Sequence, residues 1–248
     1  PCPGILGHEI IGIVEQLGNK IKTDLRGDKL SAGDRITWTE YFHHGDSYYR
    51  EIKDMPQKSK GVRKYGHDLV EDDPHFNGGF AEYCYIYPGT GILKLPDSIS
   101  DEEATPLNCG VATMIAVIEA AEIKIGDSVV IQGLGLLGLY GCAIAKANGA
   151  GMVIGLDSVD DRIRISKKFG STENINVSSL SEQEVVQRVR ELCPPDGADV
   201  VIEVCGQPSV IPSGIEMLRT GGIYVIGGLV NPDAMLTIDG NSILKKLL

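Results

Sequence analysis

The segment that most restricts the fold is SVVIQGLGLLGLYGCAIAKA, residues 128–147. It starts with a short apolar run, continues through glycines at positions 133, 135 and 138, and ends in small and apolar residues with helical spacing. A buried strand that turns tightly into a helix accounts for this order, and it puts the helix N-terminus directly after the strand. The segment therefore predicts the first βα unit of an α/β domain.

The same alternation continues toward the end of the sequence. We predict further strands in GMVIGLD (151–157), GADVVIEVCG (197–206) and GGIYVIGGL (221–229), and helices in SEQEVVQRVRELC (181–193) and QPSVIPSGIEMLRTGG (207–222). Ser181 is placed as the N-cap of one helix, with Glu184 at the capping-box position. Continuous apolar strands alternating with helices indicate a parallel sheet covered on both faces.

The first 107 residues follow a different pattern. Short β-type runs (IIGIVEQLG, GDRITWTEYF, GGFAEYCYIY and GILKLPDSI) are separated by turn residues, which indicates an all-β domain with irregular loops. Residues 40–77 are polar and aromatic without a clear period, so we predict a long loop or lobe inserted in that domain. The predicted domains are residues 1–107 and 108–248.

Composition excludes several classes of partner. The 248 residues carry a formal net charge of −11 and the pI is about 4.9, without a dense Lys/Arg stripe. We therefore expect no nucleic acid and no anionic membrane as partner. Gln132, Lys146, Asn148 and several glycines interrupt the most apolar stretch, which argues against a membrane span. No signal peptide is recognised.

The cysteine pattern predicts a reducing compartment. Six cysteines occur, with no CxxC pair and no regular spacing, so we expect free thiols and a cytoplasmic protein. The sequence opens at Pro1 without Met and closes on NSILKKLL within a pattern. We expect it to be a piece of a longer protein.

The glycine loop predicts a dinucleotide site. In GLGLLG the first glycine permits the tight turn, the second permits approach of a pyrophosphate, and the third permits close packing of helix on strand. Asp157 ends the next strand, nineteen residues after Gly138, where a carboxylate can accept hydrogen bonds from ribose hydroxyls. Such a carboxylate repels a 2′-phosphate and Ser158 follows it, which favours NAD over NADP. The alternative is an ordinary glycine-rich turn with a surface aspartate.

His8 and Glu9 stand in an apolar, glycine-punctuated stretch near the start of the chain. Taken alone, such a histidine is more often a half-buried residue with a salt partner, and a free cysteine such as Cys109 is more often a small core hydrophobe. The alternative is that His8 and Glu9 belong to a site. The residues around them decide between the two interpretations.

Those residues resemble the zinc alcohol dehydrogenase signature of the medium-chain dehydrogenase/reductase family. The match comprises Gly7-His8-Glu9, Gly12, Gly18 and Ile21, and it continues through GDRI (33–36), GGFAEY (78–83), ATPLNCGVATM (104–114) and the glycine loop. The resemblance implies an α/β protein with a GroES-like β domain followed by a Rossmann doubly wound parallel-sheet domain.

The resemblance also implies the site residues. His8 and Cys109 match zinc ligands, Glu9 matches the glutamate beside them, and Thr113 matches a position near the nicotinamide. The metal and catalytic set is His8, Glu9 and Cys109, and the expected cofactors are one catalytic Zn²⁺ and NAD. Thiolate and imidazole suit zinc, which polarises an alcohol as a Lewis acid. The predicted cofactor-binding residues are Gly133, Gly135, Leu136, Leu137, Gly138, Asp157, Arg162 and Thr113.

Two departures from the family pattern qualify this expectation. The family's first cysteine ligand precedes the histidine by about twenty residues, and Cys2 is too close to His8 to be that residue. We therefore expect this chain alone to hold zinc poorly and to turn over little. The second departure is in the lobe, where His44, Ser47, Arg50 and Ser59 lie near the positions of four structural-zinc cysteines. We predict no structural zinc, and a solvated lobe in which His43, His44, His67 and His75 form no metal site.

The predicted function is NAD- and zinc-dependent oxidation of a small-molecule alcohol or polyol, or reduction of the matching carbonyl, by a homo-oligomer at full length. One alternative is a zinc-free quinone- or enone-reductase-like member of the family. Another is a non-catalytic dinucleotide-binding protein that serves as a sensor or structural component. His8 together with Cys109 argues against the first alternative.

Overall fold

The computed structural model describes residues 4–43, 47–70, 73 and 75–246, with only the backbone described for His43. Cys2 and His44, which figure in the predictions, lie outside the described residues. The chain divides into two compact units, residues 1–109 and 110–248. Each unit is treated by itself below.

The first unit contains two small antiparallel sheets. One has the strand order β1-β2-β5, and the other pairs β3 with β4. The strands are β1 (Ile11–Ile13), β2 (Arg35–Trp38), β3 (Tyr41–His43), β4 (Val62–Lys64) and β5 (Ile92–Lys94). The helices are α1 (Tyr48–Glu51) and α2 (Asp101–Ala104), with a 3₁₀ turn at Pro56–Lys58 and a π turn at Leu107–Val111 that continues into the second unit.

Aromatic side chains form much of the core of the first unit. Trp38, Phe42 and Tyr65 are buried, and the rings of Phe42 and Tyr65 lie 4.8 Å apart. Tilted aromatic contacts of this kind add to the free energy gained by burying the rings. The Tyr65 hydroxyl accepts the N–H of Tyr87 at 2.8 Å, so the base of the lobe is fixed to the chain segment that precedes β5.

The lobe has more regular structure than the sequence indicated. β3 and β4 form a short ladder in which Tyr41 pairs with Lys64 and His43 with Val62. Three-residue strands are too short for a visible alternation of polar and apolar side chains, which is why periodicity failed to reveal them. Conversely, residues 78–87, predicted as a β-type run, contain no strand in the structure.

The second unit contains a five-stranded parallel sheet with the order β10-β9-β6-β7-β8. The strands are β6 (Ser128–Gln132), β7 (Met152–Asp157), β8 (Glu173–Asn176), β9 (Ala198–Glu203) and β10 (Leu218–Ile226). The helices are α3 (Ala112–Ala120), α4 (Leu136–Ala147), α5 (Asp160–Ser166), α6 (Glu182–Leu192), α7 (Val210–Met217) and α8 (Gly240–Lys246), with a 3₁₀ turn at Lys167–Phe169.

These elements confirm the doubly wound class predicted from the apolar runs. Val129, Val130 and Ile131 of the central strand are fully buried, and side chains of α3 and α4 pack on one face while α6 packs on the other. The capping box of α6 is present, because Ser181 accepts the Glu184 N–H and Glu184 accepts the Ser181 N–H. The strand order reverses between β6 and β9, which is where sheets of this class bind ligands.

Two further features concern the environment of the protein. Among the described residues, no helix is both long and apolar enough to cross a lipid bilayer. The five cysteines in the described part of the chain (84, 109, 142, 193 and 205) are all free thiols.

Candidate active site

Two glycines bring distant parts of the first unit into direct contact. Gly7 and Gly66 both have positive φ angles, +94° and +76°. A Cβ at Gly66 would overlap the carbonyl oxygen of Gly7, so only glycine fits there. The Gly7 carbonyl oxygen also accepts the Gly79 N–H at 2.9 Å. Each glycine is followed by a histidine, and the close backbone packing sets those two histidines side by side.

The two histidines converge with a buried carboxylate. The ring centroids of His8 and His67 lie 4.9 Å apart, and the His67 Nε2 atom lies 3.4 Å from Oε1 of Glu40. One donor atom from each of His8, Glu40 and His67 lies within 4.8 Å of the other two. Imidazole nitrogens and carboxylate oxygens are zinc ligands, and two histidines with one glutamate form a known catalytic set that leaves a position open. The donor chemistry of this cluster fits zinc.

Glu40 is held in place by the start of the lobe. It follows β2 and precedes β3, and its backbone oxygen accepts the Tyr65 N–H at 2.9 Å just beyond the β3–β4 ladder. The residue is only 8% exposed. Its carboxylate lies 3.4 Å from the Lys64 ammonium as well as from His67. Cationic and donor neighbours of this kind offset the free-energy cost of burying a carboxylate.

Asn108 connects three parts of the site. Its Nδ2 donates to the backbone oxygen of His8 at 2.7 Å and to that of Trp38 at 3.0 Å. The residue belongs to the π turn, a type of turn that is frequent at functional sites. Asn108 thereby fixes the His8 backbone relative to the strand that leads to Glu40, and it is followed directly by Cys109.

Cys109 lies in a negative environment. Burial raises the pKa of its thiol, the carboxylates of Glu40 and Glu9 raise that pKa further, and the Lys64 ammonium opposes them. The thiol is therefore protonated at neutral pH when no further cation is present. A bound divalent cation reverses this preference, because a coordinating thiol is deprotonated.

The predicted metal set is only partly assembled. His8 belongs to the three-donor cluster, whereas Glu9 and Cys109 lie outside it. Within the described residues this is the only group of three or more His, Cys, Asp or Glu donors that converge so closely. Coulombic effects of Glu9 and Glu40 on Cys109 still place these residues in one neighbourhood.

Sequence reasoning missed Glu40 and treated His67 as a solvated lobe residue. The His67 side chain is 47% exposed, as expected of a solvated lobe residue, but its ring also contacts His8 and its Nε2 atom approaches Glu40. One signal was present: Gly66-His67-Asp68 repeats the Gly-His-acid order of Gly7-His8-Glu9. Glu40 offered none, since its position depends on the unpredicted β3–β4 pairing.

The glycine loop of the second unit turns tightly from β6 into α4. Gly133 has φ +99°, and a Cβ there would lie 2.8 Å from the Cβ of Cys205. A Cβ at Gly138 would overlap the carbonyl oxygen of Gly133, whereas a Cβ at Gly135 would meet no atom within 4 Å. The backbone at Gly133 and Gly138 therefore has no room for a side chain, whereas the space beside Gly135 is open. The N-terminus of α4 follows Gly135, as a pyrophosphate-binding loop requires.

The Asp157 carboxylate also has a structural role, which the sequence spacing did not predict. Its Oδ2 accepts the Leu134 N–H at 2.8 Å, its Oδ1 accepts the Val159 N–H at 2.9 Å, and the carboxylate lies 3.5 Å from Nη1 of Arg162. The carboxylate thus ties the glycine loop to the end of β7. Its position at the end of that strand is the one from which acids contact ribose in folds of this class.

Glu203 was not predicted either, although it stabilises the neighbouring loop. It ends β9, is fully buried, and its Oε1 accepts N–H groups from Cys205 at 2.8 Å and Gly206 at 2.6 Å. Cys205 in turn packs against Gly133. Glu203 therefore shapes the second wall of the crevice where the strand order reverses.

The remaining predicted cofactor residues occupy three different positions. Leu136 begins α4 and is 50% exposed, while Leu137 is partly buried against the core. Thr113 lies in α3 and is half-buried. Arg162 lies in α5 with its side chain about half exposed beside Asp157.

Comparison with known families gives two matches that follow one another along the chain. Residues 1–97 match the family model of the alcohol dehydrogenase GroES-like domain. Residues 137–248 match the family model of zinc-binding dehydrogenases.

Comparison with individual proteins also finds dehydrogenases and reductases. The chain is 29% identical over 231 residues to 5-exo-hydroxycamphor dehydrogenase from Pseudomonas putida, covering 92% of this chain and 62% of that protein. It is 33% identical over 237 residues to a probable D-xylulose reductase A from Aspergillus clavatus, covering 92% and 60%. The structure of an alcohol dehydrogenase from Thermotoga maritima superposes with a TM-score of 0.90 at 29% identity, covering 100% and 67%. The chain spans about 60% of the length of the curated relatives it matches.

Proposed function

Because the chain belongs to the medium-chain zinc alcohol dehydrogenase family, we propose that the protein is an NAD- and zinc-dependent oxidoreductase. It transfers a hydride between a small-molecule alcohol or polyol and NAD. The observation that carries this proposal is the convergence of His8, Glu40 and His67 in a chain that also has a complete glycine loop at a strand-order reversal. A dinucleotide loop alone would support binding without chemistry.

The chain's own residues have separable roles in this proposal. His8 is a ligand of the metal, and the set predicted from the resemblance, His8, Glu9 and Cys109, remains a prediction. When bound there, zinc supplies Lewis-acid chemistry that lowers the pKa of an alcohol. Asn108 fixes the backbone of His8. The glycine loop and the N-terminus of α4 bind the pyrophosphate, while Asp157 accepts from the ribose.

The reaction balances without any additional reagent. The substrate loses a hydride from its carbinol carbon to the nicotinamide ring and a proton from its hydroxyl to solvent, so the alcohol is oxidised and NAD is reduced. 5-exo-Hydroxycamphor dehydrogenase and D-xylulose reductase are named for substrates with secondary alcohols or ketones, which supports a substrate of that class.

Isotope transfer with metal removal tests this function in the intact protein. Alcohols and polyols deuterated at the carbinol carbon should pass deuterium to NAD, as measured by mass spectrometry of the reduced cofactor. Removing the metal with a chelator should stop the transfer, and adding zinc should restore it, at about one zinc per chain. Transfer that persists without metal would indicate the zinc-free reductase alternative. Cofactor binding without transfer to any of these substrates would indicate a non-catalytic protein.

Cofactor choice follows from Asp157. We expect NADH to bind at least about tenfold more tightly than NADPH, equal to roughly 1.4 kcal/mol, because the carboxylate repels the 2′-phosphate. Asp157→Asn keeps the shape of the side chain but frees Arg162 from its ion pair, so NADPH affinity should rise. In Asp157→Asn/Arg162→Gln the gain should disappear. Fluorescence titration measures all of these affinities, and equal affinity of the wild-type protein for both cofactors would refute the assignment.

The proposal also covers the cellular location and the oligomeric state of the protein. We propose a cytoplasmic location, supported by the free thiols of the described cysteines. We also propose a homo-oligomer for the full-length protein, an expectation that follows from the family resemblance alone.

A further inference from the structure

Glu203 is a buried acid without a cationic partner among the described residues. It ends β9 and is fully buried, and its Oε1 atom accepts the N–H groups of Cys205 and Gly206. Its Oε2 atom is also buried, and in the part of the chain that the structure describes it has no hydrogen-bond partner. No described Lys, Arg or His forms an ion pair with it. Because burying a charge is costly unless the charge is paired, Glu203 favours a positively charged ligand in its neighbourhood.

We propose that Glu203 stabilises the positively charged nicotinamide ring of NAD⁺ through its electric field, and thereby raises the affinity for NAD⁺ relative to that for NADH. The ring carries one positive charge in NAD⁺ and none in NADH, whereas the rest of the two molecules is the same. Glu203 acts through its charge and not through contact, because its side chain is fully buried. This inference rests on the proposed function and specifies the preference of its dinucleotide site between the oxidised and the reduced cofactor.

The strand order puts Glu203 on the nicotinamide side of the crevice. β6 lies between β7 and β9, and the glycine loop that receives the pyrophosphate follows β6. Asp157 ends β7, so the adenosine of a dinucleotide that spans the crevice extends to that side of the loop. The nicotinamide nucleoside then extends to the other side, toward β9. Glu203 pairs in register with Gln132, the last residue of β6, and therefore lies one strand away from the loop on that side.

Three loops that follow adjacent strands meet at Glu203 and fix its position. Its backbone oxygen accepts the N–H groups of Gly227 and Gly228, at 2.8 and 3.0 Å, just after β10. A Cβ at Gly228 would lie 2.7 Å from the Oε2 atom of Glu203, and a Cβ at Gly133 would lie 2.8 Å from the Cβ of Cys205. This close packing leaves the carboxylate little freedom to move. A charge held in a fixed position can stabilise a bound cation without reorganisation of the protein.

The negative field of Glu203 acts on the side chains around it. Burial raises the pKa of Tyr224 in β10, and the Glu203 carboxylate raises that pKa further. Burial likewise raises the pKa of the Cys205 thiol, and Glu203 adds to this effect. Such interactions are stronger than in water because the effective dielectric constant of a protein interior is lower. The field that disfavours the tyrosinate and the thiolate favours a cationic ring on the same side of the crevice.

The ratio of two affinities tests the proposal in the intact protein without measuring activity. Glu203→Gln keeps an oxygen that can accept the two loop N–H groups but removes the charge. We expect the affinity for NAD⁺ to fall about tenfold relative to that for NADH. For the bound two-electron couple this change equals about 30 mV in reduction potential. Calorimetric titration measures NAD⁺ binding, and fluorescence titration measures NADH binding. ADP-ribose, which lacks the nicotinamide, should bind the variant and the wild-type protein equally well.

Two further variants separate the charge from the packing. Glu203→Asp keeps the charge and shortens the side chain, so the ratio of NAD⁺ to NADH affinity should stay close to the wild-type value even where both affinities fall. Glu173→Gln removes an exposed acid at the start of β8 and should change neither affinity. Thermal unfolding of each variant, monitored by circular dichroism, shows whether the fold is retained.

A measurement on the wild-type protein does not depend on the folding of any variant. Benzamide adenine dinucleotide has the shape of NAD⁺ but carries a neutral benzene ring in place of the pyridinium ring. We expect it to bind about tenfold more weakly than NAD⁺, because the field of Glu203 has no ring charge to stabilise. Equal affinity of the wild-type protein for the two compounds would overturn the proposal.

Two results with the variants would also overturn the proposal. One is a folded Glu203→Gln protein that keeps the wild-type ratio of NAD⁺ to NADH affinity. The other is an equal loss of affinity for NAD⁺, NADH and ADP-ribose, which is the result of a purely structural role. A wild-type protein that binds none of these ligands would refute the proposed function and this inference together. If the ratio shifts as expected but no deuterium is transferred, the role of Glu203 stands and the proposed function fails.

Discussion

Gly138→Ala is expected to destabilise the second unit by roughly 3 kcal/mol or more and to abolish dinucleotide binding. The added Cβ would overlap the carbonyl oxygen of Gly133 and approach its carbonyl carbon to 2.8 Å. Backbone atoms cannot rotate away as a flexible side chain can, so α4 must move off the loop that precedes it. The free energy of unfolding from denaturant titration and the NADH affinity from fluorescence measure the two effects.

Gly135→Ala is the matched control for this prediction. Gly135 lies three residues earlier in the same loop, has a negative φ of −69°, and would place its Cβ in open space. The fold should therefore keep its stability, whereas NADH affinity should fall because the Cβ occupies the space through which the pyrophosphate approaches. The account of the loop would be wrong if Gly138→Ala were as stable as Gly135→Ala and still bound NADH.

Much of the second unit could be predicted because its information is local. Each predicted strand and helix has an apolar pattern within its own sequence, and the parallel order follows from the short, right-handed connections of such units. The glycine loop and Asp157 were predicted from local sequence: the strand before the glycines, the helix after them and the spacing to the acid at the end of the next strand. The hydrogen bond from Leu134 to Asp157 was not, since spacing shows that an acid ends the strand but not which N–H groups its oxygens accept.

The site in the first unit depends on contacts between residues far apart in sequence. His67 reaches His8 because Gly66 packs on Gly7, and Glu40 reaches His67 because the short β3–β4 ladder folds the lobe back. Neither contact can be recognised from the periodicity of polar and apolar residues in the sequence. The resemblance supplied His8 but also directed attention to Glu9 and Cys109, which share the neighbourhood without joining the three-donor cluster.

His8→Ala is the second prediction with a large effect. His8 belongs both to the ligand set implied by the resemblance and to the cluster found in the structure, so its loss should remove the metal under either assignment. In the full-length protein we expect the zinc content to fall from about one per chain to a small fraction of that value. The kcat/KM for alcohol oxidation should fall on the order of a thousandfold, equal to about 4 kcal/mol of transition-state stabilisation.

NADH binding provides an internal control for this variant, and His75→Ala controls for loss of a histidine as such. Since the glycine loop belongs to the other unit, His8→Ala should bind NADH with unchanged affinity. His75→Ala should keep both zinc and activity. These controls separate loss of the metal from loss of the fold.

The most direct test of zinc-dependent chemistry at His8 is a paired measurement of zinc content and hydride transfer on the same preparations of the wild-type and His8→Ala proteins. Zinc per chain is determined by elemental analysis, and transfer by the deuterium found in reduced NAD. The account predicts that both quantities fall together in His8→Ala while NADH affinity is retained. A His8→Ala protein that lacks zinc but transfers deuterium at the wild-type rate would contradict it.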